Sequence, residues 1–228
     1  MLWKRYHKHK RRKKLSKTNE SRSFERTLIY IPIVHTEADM GNLSESVRQA
    51  AIRKLGLMGW KRKVNLIDKI WTTIEKTVEE LNLPYEKVFL YQDGLPVCGR
   101  ETEIVMELAR SGSRNHQLLL RLTSRGARAI GTESLELLME EYELAKQSIA
   151  SGEGPEPVGM KVRRKALSDS LLKRRDRFIA DRINSTLGNG KTGIIFLGML
   201  HGVEDLLDKD IRVLYPVNPP PRARNVDL

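Results

Sequence analysis

The chemically richest short segment of the chain is a loop that follows an apolar run. Residues 31–41 read IPIVHTEADMG, so that Glu37 and Asp39 follow His35 by two and four residues. An imidazole with nearby carboxylates can ligate a divalent metal ion or act as a general base. The same residues also fit a structural interpretation, in which the carboxylates cap the next helix and His35 hydrogen-bonds within the loop.

A second histidine follows another apolar run near the end of the chain. Residues 196–206 read FLGMLHGVEDL, and His201 stands three residues after Gly198. Glycine allows a close turn at a sheet edge, and a helix N-terminus near His201 would lower the pKa of its imidazole and favour the neutral, metal-binding form. A histidine that simply caps a strand end is the alternative. Two strand-end histidines in a chain with only five point to a shared site.

A carboxylate and an arginine are the remaining candidates for this site. Glu133 follows the short apolar segment 127–130, where it can be a third ligand, an acid or base, or a residue that stabilises the dipole of the next helix. Arg175 projects within the apolar face of a basic helix predicted over 162–187. A charge directed toward a core needs a partner. Arg175 therefore either clamps an anionic group or forms a salt bridge with the acidic helix 134–150.

The hydrophobic pattern indicates the scaffold that positions these side chains. Short, fully apolar runs alternate with helical segments, which is typical of an α/β fold with a mainly parallel sheet of about five strands flanked by helices. Strands are predicted over 27–34, 87–92, 127–130, 193–197 and 211–215. Helices are predicted over 44–54, 65–81, 101–110, 115–124, 134–150 and 162–187, with a short one over 203–207.

Functional groups of an open parallel sheet collect beyond the carboxyl ends of its strands. On this rule His35, Asp93, Glu133 and His201 all follow strands at the same edge. The pattern therefore predicts that these side chains, although distant in sequence, lie near one another.

The composition favours one domain with a segment at each end. A chain of 228 residues is long enough for one well-filled core. We expect a single domain over 27–217 with an internal linker at 151–159, which reads SGEGPEPVG. A basic disordered tail is expected at 1–26, and a Pro-rich C-terminal tail at 218–228.

Most of the net charge of +12 lies in residues 1–17, which hold nine Lys and Arg and no acid, so that the rest of the chain carries only +3. Such a tail can attract nucleic acid or an acidic membrane surface without sequence specificity. It can equally be a solvated extension without a partner. The candidate nucleic-acid contacts are Lys10, Arg11, Arg12, Lys13 and Lys14.

Several functional classes are disfavoured by the sequence. The longest apolar stretch, 193–200, is far shorter than the ~20 residues that a membrane-spanning helix needs. Cys98 is the only cysteine, which excludes an internal disulfide and a cysteine-based metal site and favours a reducing compartment such as the cytoplasm. The segment GNGKTG at 188–193 is not a phosphate-binding loop, because Ser185 occupies the position of the required first glycine. No nucleophile-elbow motif supports a serine hydrolase.

The strand-end motifs resemble those of the TraB, erythromycin-esterase and ChaN-like superfamily. There a first strand ends in a histidine, here His35, and a last strand ends in Gly-x-x-His, here Gly198 to His201. A helix with an arginine precedes the last motif, similar to the segment around Arg175. The resemblance implies a hydrolytic or metal-dependent site at the sheet edge, or haem or iron handling, with Glu133 as its carboxylate. Much of the group has a Gly-Glu-x-His arrangement, whereas here the glutamate follows the histidine.

The sequence therefore predicts a hydrolase with a polar site at the carboxyl edge of the sheet. Glu37, Glu133 and Arg175 are the predicted catalytic residues, and His35 and His201 are the predicted ligands of a divalent metal ion. The substrate is expected to be a small molecule or a peptide. The alternative is a non-catalytic protein that binds nucleic acid through its basic tail and basic helix, with structural histidines.

Deletion of residues 1–17 separates these alternatives. We expect the deletion to leave the melting temperature almost unchanged, because such a basic segment adds little to a core. Any affinity for nucleic acid should fall sharply, and in the full chain it should depend steeply on salt. Fluorescence anisotropy with labelled RNA at about 50 and 200 mM salt measures both effects. Unchanged binding after the deletion would assign the contact to the basic helix.

Overall fold

The computed structural model describes residues 26–150 and 158–217. In chain order, the strands are β1 (Arg26–Ile33), β2 (Val88–Gln92), β3 (Arg128–Ile130), β4 (Thr192–Gly198) and β5 (Ile211–Leu214). The helices are α1 (Ser44–Glu80), α2 (Glu101–Arg110), α3 (Arg114–Ser124), α4 (Leu135–Ala150) and α5 (Val158–Thr186). Short 3-10 segments lie at Glu37–Leu43, Tyr85–Lys87 and Glu204–Leu206.

The five strands form one parallel sheet in the order β3-β2-β4-β1-β5, which confirms the predicted α/β class. The late strand β4 lies between β1 and β2. Its end is in register with both neighbours, since Gly198 pairs with Ile33 and Phe196 pairs with Gln92. The segments that leave β1, β2 and β4 therefore start side by side at one edge.

Helices cover both faces of the sheet, and alternate strand residues pack against each layer. In β1, Ile29 and Ile31 face the cluster that contains α1, α2 and α3, whereas Leu28 and Tyr30 face the cluster that contains α5. Burial on both sides explains why the strands are continuous apolar runs in the sequence. In the part of the chain that the structure describes, no helix combines the length and the apolar composition needed to cross a membrane.

Helix α1 differs from its sequence prediction. Two helices were expected, the second capped by Asn65, but a helical stretch runs over Ser44–Glu80 and is interrupted at Gly56. The φ angle of Gly56 is +70°, in the left-handed region that glycine adopts without strain. The break therefore falls nine residues before Asn65, which is helical, and it divides α1 into the halves 44–55 and 57–80.

Arg26, which the sequence analysis assigned to the basic tail, belongs to β1. Its guanidinium donates hydrogen bonds to Asp210 (Nε to Oδ2, 2.7 Å), Asp208 (Nη2 to Oδ2, 2.8 Å) and the carbonyl oxygen of Asn184 (2.7 Å). These bonds join the start of β1 to α5 and to the turn before β5. A local charge count could not separate Arg26 from the basic residues that precede it.

The predicted internal linker overlaps α5, because Val158 and Gly159 belong to that helix. Residues 151–157, with the rest of that linker, lie outside the described residues. The same holds for residues 1–25 and 218–228, which contain the expected basic and Pro-rich tails.

Candidate functional site

Three strand ends deliver polar groups to one point at the carboxyl edge of the sheet. The Oδ2 atom of Asp93, the residue directly after β2, accepts a hydrogen bond from the Gly198 N–H at 2.9 Å. The same oxygen lies 3.1 Å from His35 Nε2 and 3.6 Å from His201 Nε2. The prediction that the two histidines lie at the same edge is confirmed, and Asp93 is the residue that both of them approach.

The Asp93 carboxylate is buried, with 4% of its side chain exposed. Burial by itself raises the pKa of a carboxyl group, but the hydrogen bond from His35 and the nearby positive charges of His201, His35 and Arg175 lower the pKa of Asp93 overall. Asp93 is therefore ionised at neutral pH. A buried charge of this kind is tolerated only with partners that compensate it.

His35 is the accessible member of the cluster, with 33% of its side chain exposed. Because the ionised Asp93 can only accept a hydrogen bond, His35 Nε2 carries a proton, and in the neutral imidazole Nδ1 carries the lone pair. Burial lowers the pKa of His35, but the hydrogen bond and the charge of Asp93 outweigh it and raise the pKa above its ordinary value. The geometry is that of an imidazole oriented by a carboxylate.

His201 is held by a second carboxylate, Asp176 of α5. Its Nδ1 donates to Asp176 Oδ1 at 2.5 Å, and the other oxygen of Asp176 accepts from the Gly202 N–H at 3.1 Å. Burial lowers the pKa of His201, but the hydrogen bond to Asp176 and the charge of Asp93 raise it overall. The predicted lowering by a helix N-terminus was wrong, because only the 3-10 turn Glu204–Leu206 follows and Asp176 approaches from another helix.

Arg175 lies among three carboxylates. Its Nε and Nη2 donate to the two oxygens of Glu133 at 2.9 and 2.5 Å, and Nη2 also donates to Asp93 Oδ1 at 2.8 Å. Nη1 donates to Glu141 of α4. This arrangement includes the salt bridge to the acidic helix that the sequence offered as one alternative. With 4% of its side chain exposed, the guanidinium is engaged in holding protein carboxylates.

Glu133 is fully buried and depends on Arg175 for compensation. Burial and the nearby charge of Asp93 raise the pKa of Glu133 above its ordinary value, although Arg175 and a hydrogen bond from the Gly94 N–H (3.1 Å) partly oppose this effect. The two hydrogen bonds from Arg175, one to each carboxylate oxygen, favour the ionised form of Glu133 against this effect of burial. Glu133 and Asp93 thus share one guanidinium.

The structure does not bring Glu37 into this cluster, although the sequence proposed it as catalytic. Its Oε1 instead accepts a hydrogen bond from the indole N–H of Trp60 at 2.9 Å. Asp39 has the capping role, because its Oδ2 accepts from the backbone N–H of Thr36 at 2.6 Å. Burial raises the pKa of Asp39, but hydrogen bonds from His116, Ser113 and Thr36 lower it to about 2.

Two acidic residues of the cluster were missing from the predicted site. Asp93 was expected at this edge, but the Asp93-Gly94 sequence is also a turn signal, and nothing local distinguished it from other carboxylates. Asp176 stands next to Arg175, near the margin of the apolar face of α5, and its contact with His201 spans 25 residues. The strand-end rule was the one signal available for Asp93.

The spacing of possible metal ligands differs from the prediction. Among the described residues, Asp93, Glu133 and His201 have ligand atoms that all lie within 4.8 Å of one another. His35 is not part of this group. Arg175 donates hydrogen bonds to both of its carboxylates, so that a cation bound there would lie against a guanidinium.

A cavity of about 310 Å³ opens beside His35. Its other walls come from the 3-10 segment Glu37–Leu43 and from both halves of α1. The exposed side of the cluster therefore faces a space large enough for a ligand.

Comparison with known protein families, curated protein sequences and solved structures found no significant match for this chain. The resemblance to the TraB, erythromycin-esterase and ChaN-like superfamily therefore stays a prediction from short motifs.

Gly198 allows the close approach of Asp93 to the backbone. A Cβ atom at this position would lie 2.8 Å from Asp93 Oδ2, whereas a Cβ atom at the nearby Gly202 would have no atom within 4 Å. We expect Gly198→Ala to destabilise the fold by about 1–3 kcal/mol, because the Asp93 carboxylate must shift away from its partners. Gly202→Ala, the matched control, should change the free energy of unfolding by less than about 0.5 kcal/mol. Urea unfolding measures both, and equal stabilities would contradict this account.

Proposed function

We propose that this protein is a hydrolase in which His35 acts as the general base and Asp93 orients and compensates it. The observation that carries the proposal is the contact of a buried carboxylate oxygen with Nε2 of a partly exposed imidazole, 3.1 Å apart. The other ring nitrogen is free to accept a proton, and the imidazole borders a cavity. This site lies where parallel sheets commonly carry their functional groups.

The chemistry follows from the proton positions. Nδ1 of His35 takes a proton from a water molecule while the water oxygen attacks the carbonyl carbon of an ester. The bond from that carbon to the leaving oxygen then breaks, and the His35 imidazolium returns the proton to the leaving oxygen. The products are a carboxylic acid and an alcohol. Asp93 stays ionised throughout and stabilises the imidazolium, as carboxylates do in His-containing hydrolytic sites.

The remaining charged residues act through Asp93 in this proposal. Arg175 holds Asp93 Oδ1, and Glu133 holds Arg175, so that the carboxylate cannot rotate away from His35. His201, anchored by Asp176, approaches the same carboxylate oxygen as His35 does. Arg175, Glu133 and His201 are therefore proposed as positioning residues, and the substrate is proposed to contact His35.

The pH dependence of ester hydrolysis tests the proposed roles of His35 and Asp93. With p-nitrophenyl acetate as the probe, kcat/KM should rise with pH as His35 loses its proton, with a midpoint above the ordinary histidine pKa of about 6.5 because Asp93 raises it. Asp93→Asn should lower the rate about a hundredfold or more. It should also move the midpoint of the remaining activity to lower pH, because the negative charge is gone.

Controls separate this effect from damage to the fold. Asp169→Asn makes the same chemical change at an exposed position of α5, outside the cluster, and should reproduce the wild-type profile. The melting temperature of each variant shows whether it is folded. A folded His35→Ala variant with wild-type activity would remove His35 from the mechanism.

In the second form of the proposal, the site holds a divalent metal ion. This form is favoured by Asp93, Glu133 and His201, whose possible ligand atoms all lie within 4.8 Å of one another. Asp176 accepts a hydrogen bond from Nδ1 of His201, as carboxylates often do from metal-binding histidines. When bound, such an ion would make water more acidic. Asp93, Glu133 and His201 would hold such an ion, and the predicted ligand His35 is not in this group.

Metal content and activity distinguish the two forms. We expect hydrolysis to survive dialysis against EDTA, because the Arg175 guanidinium already compensates the carboxylates of Asp93 and Glu133. Elemental analysis of protein purified without a His-tag gives the metal content, and His201→Ala is the test variant. One bound ion per chain, lost together with activity in EDTA and in His201→Ala, would instead establish the metal-dependent form.

Nucleic-acid binding is the alternative function, and one observation favours it. The first turns of α5 expose the basic residues Lys161, Arg163 and Lys165. The tail residues predicted to act with them, Lys10 to Lys14, lie outside the described residues. The deletion of residues 1–17 tests this alternative independently of ester hydrolysis.

A further inference from the structure

The cavity beside His35 lies between the two halves of α1 and the 3-10 segment Glu37–Leu43. The interruption at Gly56 allows both halves to line it. Most of its walls are apolar, and they are formed by Val34, Ala38, Met40, Val47, Ala51, Trp60, Val64, Ile67 and Trp71.

The two indole rings offer this cavity apolar surface and no free hydrogen-bond donor. The N–H of Trp60 donates to Glu37, and the N–H of Trp71 donates to the carbonyl oxygen of Val34 at 3.0 Å. A ligand group packed between them would therefore gain from burial and aromatic contact and would need no acceptor for either ring.

Basic groups without full compensation also line the cavity. Arg114 is paired with Asp68 and Glu75, so that its charge is neutralised. Lys63 has no hydrogen bond or ion pair with any described residue. Arg48 is only partly compensated, because its Nη1 lies 3.6 Å from Glu45 Oε2 and its guanidinium lies over the Trp60 ring, whereas its buried Nε–H has no hydrogen-bond partner among the described residues. These two groups would suit an anionic oxygen at the edge of an apolar ligand.

The volume sets the size of that ligand. A cavity of about 150 Å³ holds one benzene ring, and the volume here is about 310 Å³. The space therefore matches a fused two-ring aryl group or an acyl chain of similar bulk. Because His35 forms part of the wall, a bond at the edge of such a group would lie beside the proposed general base.

We propose that this cavity binds the apolar part of the substrate, and that the substrate class is an aryl or acyl ester with a negatively charged substituent near Lys63 and Arg48. The class of substrate rests on the proposed hydrolytic function, whereas the binding of the anionic apolar group does not. The two claims can therefore fail separately.

Naphthalene-2-sulfonate is the probe, because it has two fused rings and one anionic group and contains no bond that His35 could hydrolyse. Isothermal titration with the full chain should show one saturable site. The neutral 2-naphthalenemethanol should bind about fivefold more weakly, because it lacks the charge that faces Lys63 and Arg48. Lys63→Glu should abolish this preference. Lys69→Glu, an exposed change on the same helix but outside the cavity walls, should retain it.

Substitutions that fill the cavity test whether the sulfonate binds there. Ala51→Trp should weaken sulfonate binding at least tenfold. Ala38→Phe, in the 3-10 segment that also lines the cavity, should have the same effect and serves if the first variant does not fold. Met139→Trp, in the separate groove between α4 and α5, is the matched control and should bind like the wild type. Melting temperatures identify the folded variants.

Three results would overturn the assignment. They are wild-type binding in a folded Ala51→Trp or Ala38→Phe variant, loss of binding in Met139→Trp, and binding that appears only after removal of residues 218–228. The last result would mean that the C-terminal segment of the chain is the occupant. Sulfonate binding without hydrolysis of any ester would leave the cavity assignment intact and would overturn the proposed function alone.

Discussion

The buried negative charge of Asp93 is the constraint on which the rest of the site depends. An uncompensated charge in this position would cost several kcal/mol, so that partners must approach it from every side. The Gly198 N–H, the His35 imidazole and the Arg175 guanidinium do so through hydrogen bonds of 2.8–3.1 Å. Arg175 also donates to both carboxylate oxygens of the buried Glu133, so that one guanidinium serves two buried carboxylates. Each buried ion in the cluster thus requires the next one.

The need to compensate each buried charge explains which residues of the site can be predicted from the sequence and which cannot. Apolar runs separated by helices indicate a parallel sheet, and a parallel sheet places the residues that follow its strands at one edge. That argument was sufficient to expect His35, Glu133 and His201 together. Arg175 was predictable because a charge on the apolar face of α5 must find a partner. The choice of Asp93 as the common partner depends on the insertion of β4 between β1 and β2, and strand order has no local signal.

The differences between expectation and structure at Glu37, Arg26 and His201 share a physical cause, because a partner distant in sequence contacts each of these residues. Glu37 and Asp39 are two residues apart and chemically alike, but Asp39 caps through Thr36, while Trp60 engages Glu37. Arg26 resembles the basic residues before it, but two aspartates near β5 hold it in the sheet. Local rules describe His201 as a residue near a helix start, whereas Asp176 on another helix sets the direction of its pKa shift.

The two sides of His35 have different physical requirements, and different elements meet them. On the side of Asp93, strand ends and α5 supply a buried, fully paired cluster in which a shift of one group disturbs the others. On the opposite side, α1 and the 3-10 segment supply apolar walls whose side chains contribute by volume and contact, and such contacts tolerate substitution better than buried charges do. Substitutions in α1 can therefore alter which group binds without altering the proton affinity of His35. Substitutions near Asp93 change that affinity directly.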